Sequence, residues 1–362
     1  VLTTLRFFAA MEVVLYHFNM LEGGEQAGLS LGGLWSGGYE AVSFFFILSG
    51  FVLVYALVDH RTGQLVGSPR SFWRARIGRI APGYLLGLLV ALPILLQAVF
   101  VIGVVTPRQF VEGAILTPLA LQAWWPPVAT VWNFPGWSLS VEAFFYVLFP
   151  SLVIVMARLE GALSLVLASL LVLGAVAARV GLSSWTPAET FESWSSFLLY
   201  FPLFHLPKFL LGMALGRYFA ARQHPEKFYI RVFYASSLAL VALFAFRPAL
   251  PAWLFNDALL SFLYACVIVG AAGSGGASRL LAMPFLVLLG EASYSIYILH
   301  APLEFWWHSL VGALPGLGMP ASSPLSFALA ALSYCVFVVS LALLAHLFVE
   351  RPMRRVIVER FA

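Results

Sequence analysis

Residues 5–18 read LRFFAAMEVVLYHF, an apolar run interrupted by Arg6, Glu12 and His17. As a helix, the eleven steps from Arg6 to His17 advance about 1100°, three turns and roughly 20°, over about 16 Å of axis. Arg6 and His17 therefore share one face at opposite depths, whereas Glu12 lies about 140° around from His17. Ionisable groups in hydrocarbon are expensive and mark a pathway or a reaction centre. The pair thus asks for an object about 16 Å long with an anion at one end and chemistry at the other.

The rest of the chain makes the setting a membrane. Of its 362 residues, 62% are hydrophobic and only 10% charged, against roughly 25% charged in soluble domains. Mean hydropathy is +0.94. Apolar stretches of about the 20 residues needed to cross a bilayer recur. They fall at 2–21, 38–58, 81–105, 136–157, 162–181, 196–218, 230–248, 255–272, 281–303 and 325–349. The expected fold is all-α, a polytopic transmembrane helical bundle of about ten spans, forming one domain over 1–362. Segment 110–124 is apolar but short and holds Pro118, so it reads as re-entrant or interfacial.

An even number of spans puts both termini on one side. If that side is the cytosol, all of the 20 Lys and Arg except Arg108, Arg179, Arg247 and Lys208 become cytosolic, as the positive-inside rule requires. The same bias accounts for the net charge of +4 and the pI near 9.1, so no nucleic-acid partner is needed. Cys266 and Cys335 both sit in apolar spans, which argues against a disulfide framework. The charged first segment lacks a small-residue cleavage site and is not a signal peptide. No internal repeat is visible.

Further polar residues interrupt other spans. In GYEAVSFFFILSGFVL (38–53), Ser49 and Gly50 form a small pair at mid-depth that suits either helix packing or a thin ligand. In RSFWRARIGRIAPGY (70–84), Arg76 and Arg79 are one turn apart; guanidiniums at a membrane surface suit phosphate, lipid or topology. In NFPGWSLSVEAFFYVLFP (133–150), Ser138, Glu142 and Tyr146 make a stripe, and in GEASYSIYILHAPLEFWW (290–307) Ser293, Tyr297 and His300 make another. His17, Glu142 and His300 come from three distant segments yet converge in the outer half. His205 and Lys208 lie within the sixth span between Pro202 and Pro207, with Lys208 able to pair with Glu12 or a phosphate. Glu350 is placed to anchor a basic residue at the end of the last span. No metal-ligand spacing, Walker loop or dinucleotide fingerprint occurs, and no metal is expected.

Together these segments resemble the acyltransferase-3 family of integral-membrane acyltransferases. The motifs that carry the resemblance, in order, are LRFFAAMEVVLYHF, GYEAVSFFFILSGFVL, Arg76-x-x-Arg79, WSLSVEAFFYVLFP (137–150), SYSIYILHAPL (293–303) and ERP (350–352). The resemblance implies an acyl-CoA donor in the cytosol, often acetyl-CoA, and a hydroxyl acceptor on an envelope glycan or lipid-linked saccharide. It also implies residence in a bacterial inner membrane. His17 matches the family's catalytic histidine, Arg6, Arg76 and Arg79 match CoA-facing arginines, and Glu142 matches a recurrent acidic position. Ser43 stands where many relatives carry an acid, and Glu12 where most are apolar. No hydrolase domain of the SGNH type, which some relatives carry, is expected after Ala362.

The expected chemistry places CoA phosphates on the arginines and the thioester at His17, acting as general base or as acyl-carrying nucleophile. Glu142 is expected to orient the His17 ring, with His300 or Ser138 assisting the acceptor or the oxyanion, and Ser49–Gly50 passing the CoA arm. Competing readings are a proton-coupled secondary transporter and a flippase-like protein presenting a glycan. Outer loops 22–37, 106–135, 182–195 and 304–323, with Trp124, Trp125, Trp132, Trp185 and Trp194, are expected to shape acceptor choice or to form an interfacial aromatic belt.

Overall fold

The computed structural model describes residues 1–22, 37–185, 191–222, 224–255, 257–275, 281–313 and 324–360. Among them every extended regular element is helical, and the one β-type pairing is an isolated Val58–Leu65 bridge closing a short loop. Backbone groups in a bilayer must be satisfied within their own segment, which selects helices for these apolar runs.

The bundle is built on α1 (Leu2–Glu22), α2 (Gly38–Leu57), α3 (Pro69–Gln97) and α5 (Gly136–Ala157), with the short α4 (Pro107–Leu116) between α3 and α5. It continues through α6 (Gly161–Trp185), α7 (Phe191–Tyr200), α8 (Leu206–Ala221), α9 (Glu226–Ala245) and α10 (Asp257–Gly273). The last elements are α11 (Pro284–Glu291), α12 (Ser293–Ala313), α13 (Pro324–Ala345) and α14 (Arg351–Arg360). Among the described residues, six helical stretches are long and apolar enough to cross a membrane, and α11 with α12, bent by 58°, makes a seventh if the pair is taken as one span. The other three expected spans are helical but fall short by length or hydropathy. α1 carries Arg6 and Glu12, α8 has 16 residues and α10 has 17.

Several boundaries differ from the hydropathy reading, each for a local reason. α3 begins at Pro69 because Ser68 caps it: Ser68 Oγ accepts from the Ser71 N–H at 3.1 Å, and Ser71 Oγ accepts from the Ser68 N–H at 3.2 Å. Proline in the first turn gives up an N–H that would have no helical partner. Arg70, Arg74, Arg76 and Arg79 therefore ride on α3 rather than in a loop. The expected continuous span 196–218 is broken: α7 ends at Tyr200, Pro202–Phe204 forms a 3-10 turn, and α8 starts at Leu206. Pro202 and Pro207 remove two ladder donors there. The expected span 281–303 also breaks, with α11 closing on Ala292, and the final helix continues through a π turn at His346–Glu350 into α14.

Helix contact is closest where side chains vanish. A Cβ on Gly50 would lie 2.2 Å from the Phe209 carbonyl oxygen, and one on Gly212 2.0 Å from that of Ile47. α2 and α8 thus touch backbone to backbone, the packing that small residues permit in membranes. Lipid-facing positions are apolar instead, as with Leu89 on α3, Leu170 on α6, Leu238 on α9 and Leu332 on α13, all exposed.

The 110–124 region is too short to span: α4 has 10 residues, about 15 Å of helix. The chain after it folds back into the bundle. Tyr84 donates to the Thr117 carbonyl at 2.5 Å, and Gln122 Nε2 donates to Tyr84 Oη at 2.9 Å and to the Gly136 carbonyl at 2.7 Å. This anchors the NFPGW turn at the head of α5.

Candidate active site

A cavity of about 210 Å³ lies among α1, α2, α3, α5 and α12. Arg6, Arg76 and Arg79 line one part of it, and Ser49, Ser138, Glu142, Tyr146 and Tyr297 line the rest, with Val42, Phe45 and Leu53 as apolar wall. Arg76 stacks its guanidinium over Phe72 and Tyr146 at 5.8 and 5.9 Å, and its buried Nε has no acceptor. Arg6 lies close enough to Arg79 and Arg76 to be repelled by both. A buried donor without an acceptor, beside like charges, suits an incoming anion.

Glu142 accepts from Ser49 Oγ at 3.2 Å and from the Tyr146 hydroxyl. It bonds neither imidazole, so the expectation that Glu142 orients His17 is replaced by a placement in the cavity beside the arginines. Ser138 Oγ and Tyr297 Oη, both in the cavity lining, are 2.8 Å apart and both also directed at the Pro135 carbonyl. Beyond that pair, the Tyr297 ring lies 6.0 Å from the ring of His300. Gly50 faces α8, so of the Ser49–Gly50 pair only Ser49 lines the cavity.

The partner of His17 is His300: His17 Nδ1 and His300 Nε2 are 2.9 Å apart. His300 is fully buried, and its Nδ1 lies 2.6 Å from the Tyr297 carbonyl oxygen. A carbonyl only accepts, so His300 Nδ1 carries the hydrogen. With both rings neutral, His300 Nε2 is then the acceptor and His17 Nδ1 the donor, which leaves the lone pair on His17 Nε2. The Tyr334 hydroxyl donates to the His300 carbonyl at 2.9 Å and ties this turn of α12 to α13. Unlike His300, His17 is only half-buried; its ring meets Phe134 edge-on at 5.0 Å, and Phe134 is 41% exposed.

The remaining intramembrane charges form a separate network. Lys208 pairs with Asp257 at 3.0 Å rather than with Glu12, and Arg179 binds the same carboxylate. Ser43 bridges them, accepting from Lys208 at 2.9 Å and donating to Asp257 at 3.2 Å. Where family resemblance leads one to expect an acid at position 43, Asp257 brings the carboxylate from α10. Glu12 accepts from the Gly37 N–H at 3.1 Å, at the start of α2. Glu350 holds His346 at 2.8 Å, while Arg351 reaches Glu291. Sequence reading missed Asp257 and Arg179 as a pair; an acid opening the apolar run DALLSFLYACVIVGAAG was the available signal.

Trp124 packs against Phe144 and Phe201, and Trp132 donates to the Leu88 carbonyl at 3.0 Å. Trp125 donates to Glu112 at 2.7 Å and stays 43% exposed. The side chains of Trp185 and Trp194, with much of loops 22–37, 182–195 and 304–323, lie outside the described residues.

Comparison with known proteins agrees with this architecture. The family model for the acyltransferase-3 family, described as an acyltransferase domain, matches residues 2–347. The chain belongs to that family and is an integral, multi-pass membrane enzyme of acyl transfer. It is 29% identical to the acyltransferase MdmB of Streptomyces mycarofaciens, over 99% of this chain and 92% of that protein. Similarity to the exopolysaccharide production protein ExoZ of Rhizobium meliloti is 27% identity over 88% of this chain and 90% of ExoZ. The O-acetyltransferase OatA of Staphylococcus aureus is 24% identical over 97% of this chain, which spans 56% of OatA. No solved structure matches.

Proposed function

We propose that the protein is an O-acyltransferase of the bacterial inner membrane. It moves an acyl group, acetyl in the simplest case, from cytosolic acyl-CoA to a hydroxyl of an envelope or extracellular glycan. The observation that carries this reading is the cavity leading from Arg6, Arg76 and Arg79 to Tyr297, next to the His17–His300 pair. Helix geometry separates Arg6 from His17 by about 16 Å, comparable to an extended pantetheine arm. The names of ExoZ and OatA support a polysaccharide or other O-linked acceptor.

In this reading the arginines take the CoA phosphates by bidentate hydrogen bonds, and the arm passes Ser49 and Glu142. His17 Nε2 takes the acceptor hydroxyl proton as the oxygen attacks the thioester carbonyl. The tetrahedral intermediate collapses with loss of the CoA thiolate, which recovers that proton from His17. Throughout, His17 Nδ1–H stays on His300. One hydroxyl of the Ser138–Tyr297 pair turns from the Pro135 carbonyl to donate to the developing oxyanion. Phe134, exposed beside His17, offers a face for the acceptor.

The test is transfer from radiolabelled acetyl-CoA to glycan by protein purified into liposomes. Label should reach the glycan with wild type, and His17→Ala should lower the rate by about 10²–10⁴-fold. Full activity in His17→Ala would discard the base; glycan translocation without label transfer would favour a flippase.

A further inference from the structure

Arg6 and Arg79 line two cavities. Beyond them opens a second hollow of about 610 Å³, walled by the first turns of α1, by α3 and by α14, within the range usual for small-molecule sites. From α14, Arg351, Arg354 and Arg355 line it.

The charges in this hollow do not balance one another. Arg351 is bound to Glu291, and Glu350 is taken by His346 at 2.8 Å and Ser295 at 3.0 Å. Among the described residues, Arg6, Arg79, Arg354 and Arg355 have no carboxylate within salt-bridge distance, although Glu359 lies on the same wall. Arg79 and Arg76 repel Arg354, as they repel Arg6, and Glu350 and Glu291, both beyond salt-bridge distance of Arg354, attract it less strongly. Guanidiniums that outnumber the carboxylates Glu291, Glu350 and Glu359 around them favour a ligand carrying several negative charges, and their planar forks match phosphate. Arg6 and Arg79, shared by both cavities, form the neck between the hollow and the reaction centre.

We infer that this hollow seats the nucleotide of the donor, with Arg354 and Arg355 of α14 holding its ribose 3′-phosphate and Arg6 and Arg79 holding the diphosphate at the neck. The inference rests on the acyl-CoA reading above and adds α14 to the binding machinery. It makes the last helix the element that distinguishes a nucleotide thioester from a bare one.

The experiment compares three donors with the full chain in liposomes: acetyl-CoA, 3′-dephospho-acetyl-CoA and S-acetyl-pantetheine. Wild type should prefer them in that order by kcat/KM. In the Arg354→Gln/Arg355→Gln double variant, the preference for acetyl-CoA over the 3′-dephospho donor should fall at least about tenfold, mostly through KM. Arg354→Lys/Arg355→Lys, which keeps charge but loses the fork, should fall between. An unchanged preference ratio in the Gln variant, including one produced by equal losses on all donors, would overturn the cradle. Wild type that transfers from no CoA donor would instead overturn the proposed donor itself. Thermal midpoints of all variants report whether α14 still docks.

Discussion

His17 and His300 lie 283 positions apart in the chain, yet their rings stack with centroids 5.0 Å apart and Nδ1 to Nε2 at 2.9 Å. The Tyr297 carbonyl, 2.6 Å from His300 Nδ1, sets the direction of that contact. A backbone acceptor thus fixes the tautomer of one imidazole, which fixes the tautomer of the other. In the proposed mechanism, the orienting role that a carboxylate plays in a Ser-His-Asp triad falls to a neutral histidine, which suits a site bounded by hydrocarbon.

His300→Gln should lower kcat by about 10²-fold or more, with a smaller change in donor KM. The glutamine can reach His17 without enforcing one tautomer. His300→Phe should do the same while preserving the packing of α12. Steady-state kinetics with thermal unfolding separates the two effects, because a merely structural role would move stability and leave kcat of the folded fraction intact.

Arg76→Lys should raise the donor KM by about tenfold or more, because an ammonium cannot reproduce a bidentate phosphate contact. The thermal midpoint without donor should move little, since Arg76 Nε has no protein acceptor to lose and a lysine ammonium still offers a cation to the Phe72 and Tyr146 rings. Donor titration followed by isothermal calorimetry or protection against unfolding measures it. Unchanged affinity would return this arginine to membrane topology alone.

Asp257→Asn should destabilise the protein by about 3–5 kcal/mol, because Lys208 and Arg179 are left without their carboxylate in a buried site. Adding Lys208→Met should recover part of that loss. Denaturant or thermal unfolding in detergent, arranged as a double-mutant cycle, gives the coupling.

Gly212→Ala should lower stability by about 1–3 kcal/mol and reduce folded yield. Its Cβ would stand 2.0 Å from the Ile47 carbonyl oxygen and force α2 and α8 apart. Gly161, whose Cβ would meet nothing within 4 Å, serves as the control: Gly161→Ala should leave yield unchanged.

Much of the fold was legible because its signals are local. An apolar run declares itself within its own residues, so the helices at 38–58 and 136–157 were found nearly to the residue. The broken ones were not: α7 and α8 read as one span because hydropathy does not register the ladder donors that Pro202 and Pro207 remove. The cavity residues Arg6, Arg76, Arg79, Ser49, Ser138 and Glu142 are all singled out by the sequence, but the partner expected of Glu142 is not the one it has. Glu142, expected to orient His17, bonds Ser49 and Tyr146; Lys208, read as able to pair with Glu12 or a phosphate, binds Asp257. Stripes at helical spacing tell which side chains share a face and leave open which helix that face meets.

By itself, then, the sequence determined a helical membrane protein with Arg6 and His17 on one face, about 16 Å apart. Both properties follow from hydropathy and from the 3.6-residue period, which need no knowledge of neighbours. Only the tertiary structure decided that His17 meets His300 and that Gly50 is spent on α8. The same holds for the arginines of α14, brought to the neck formed by Arg6 and Arg79. Those contacts join residues far apart in the chain, and they depend on how whole helices pack.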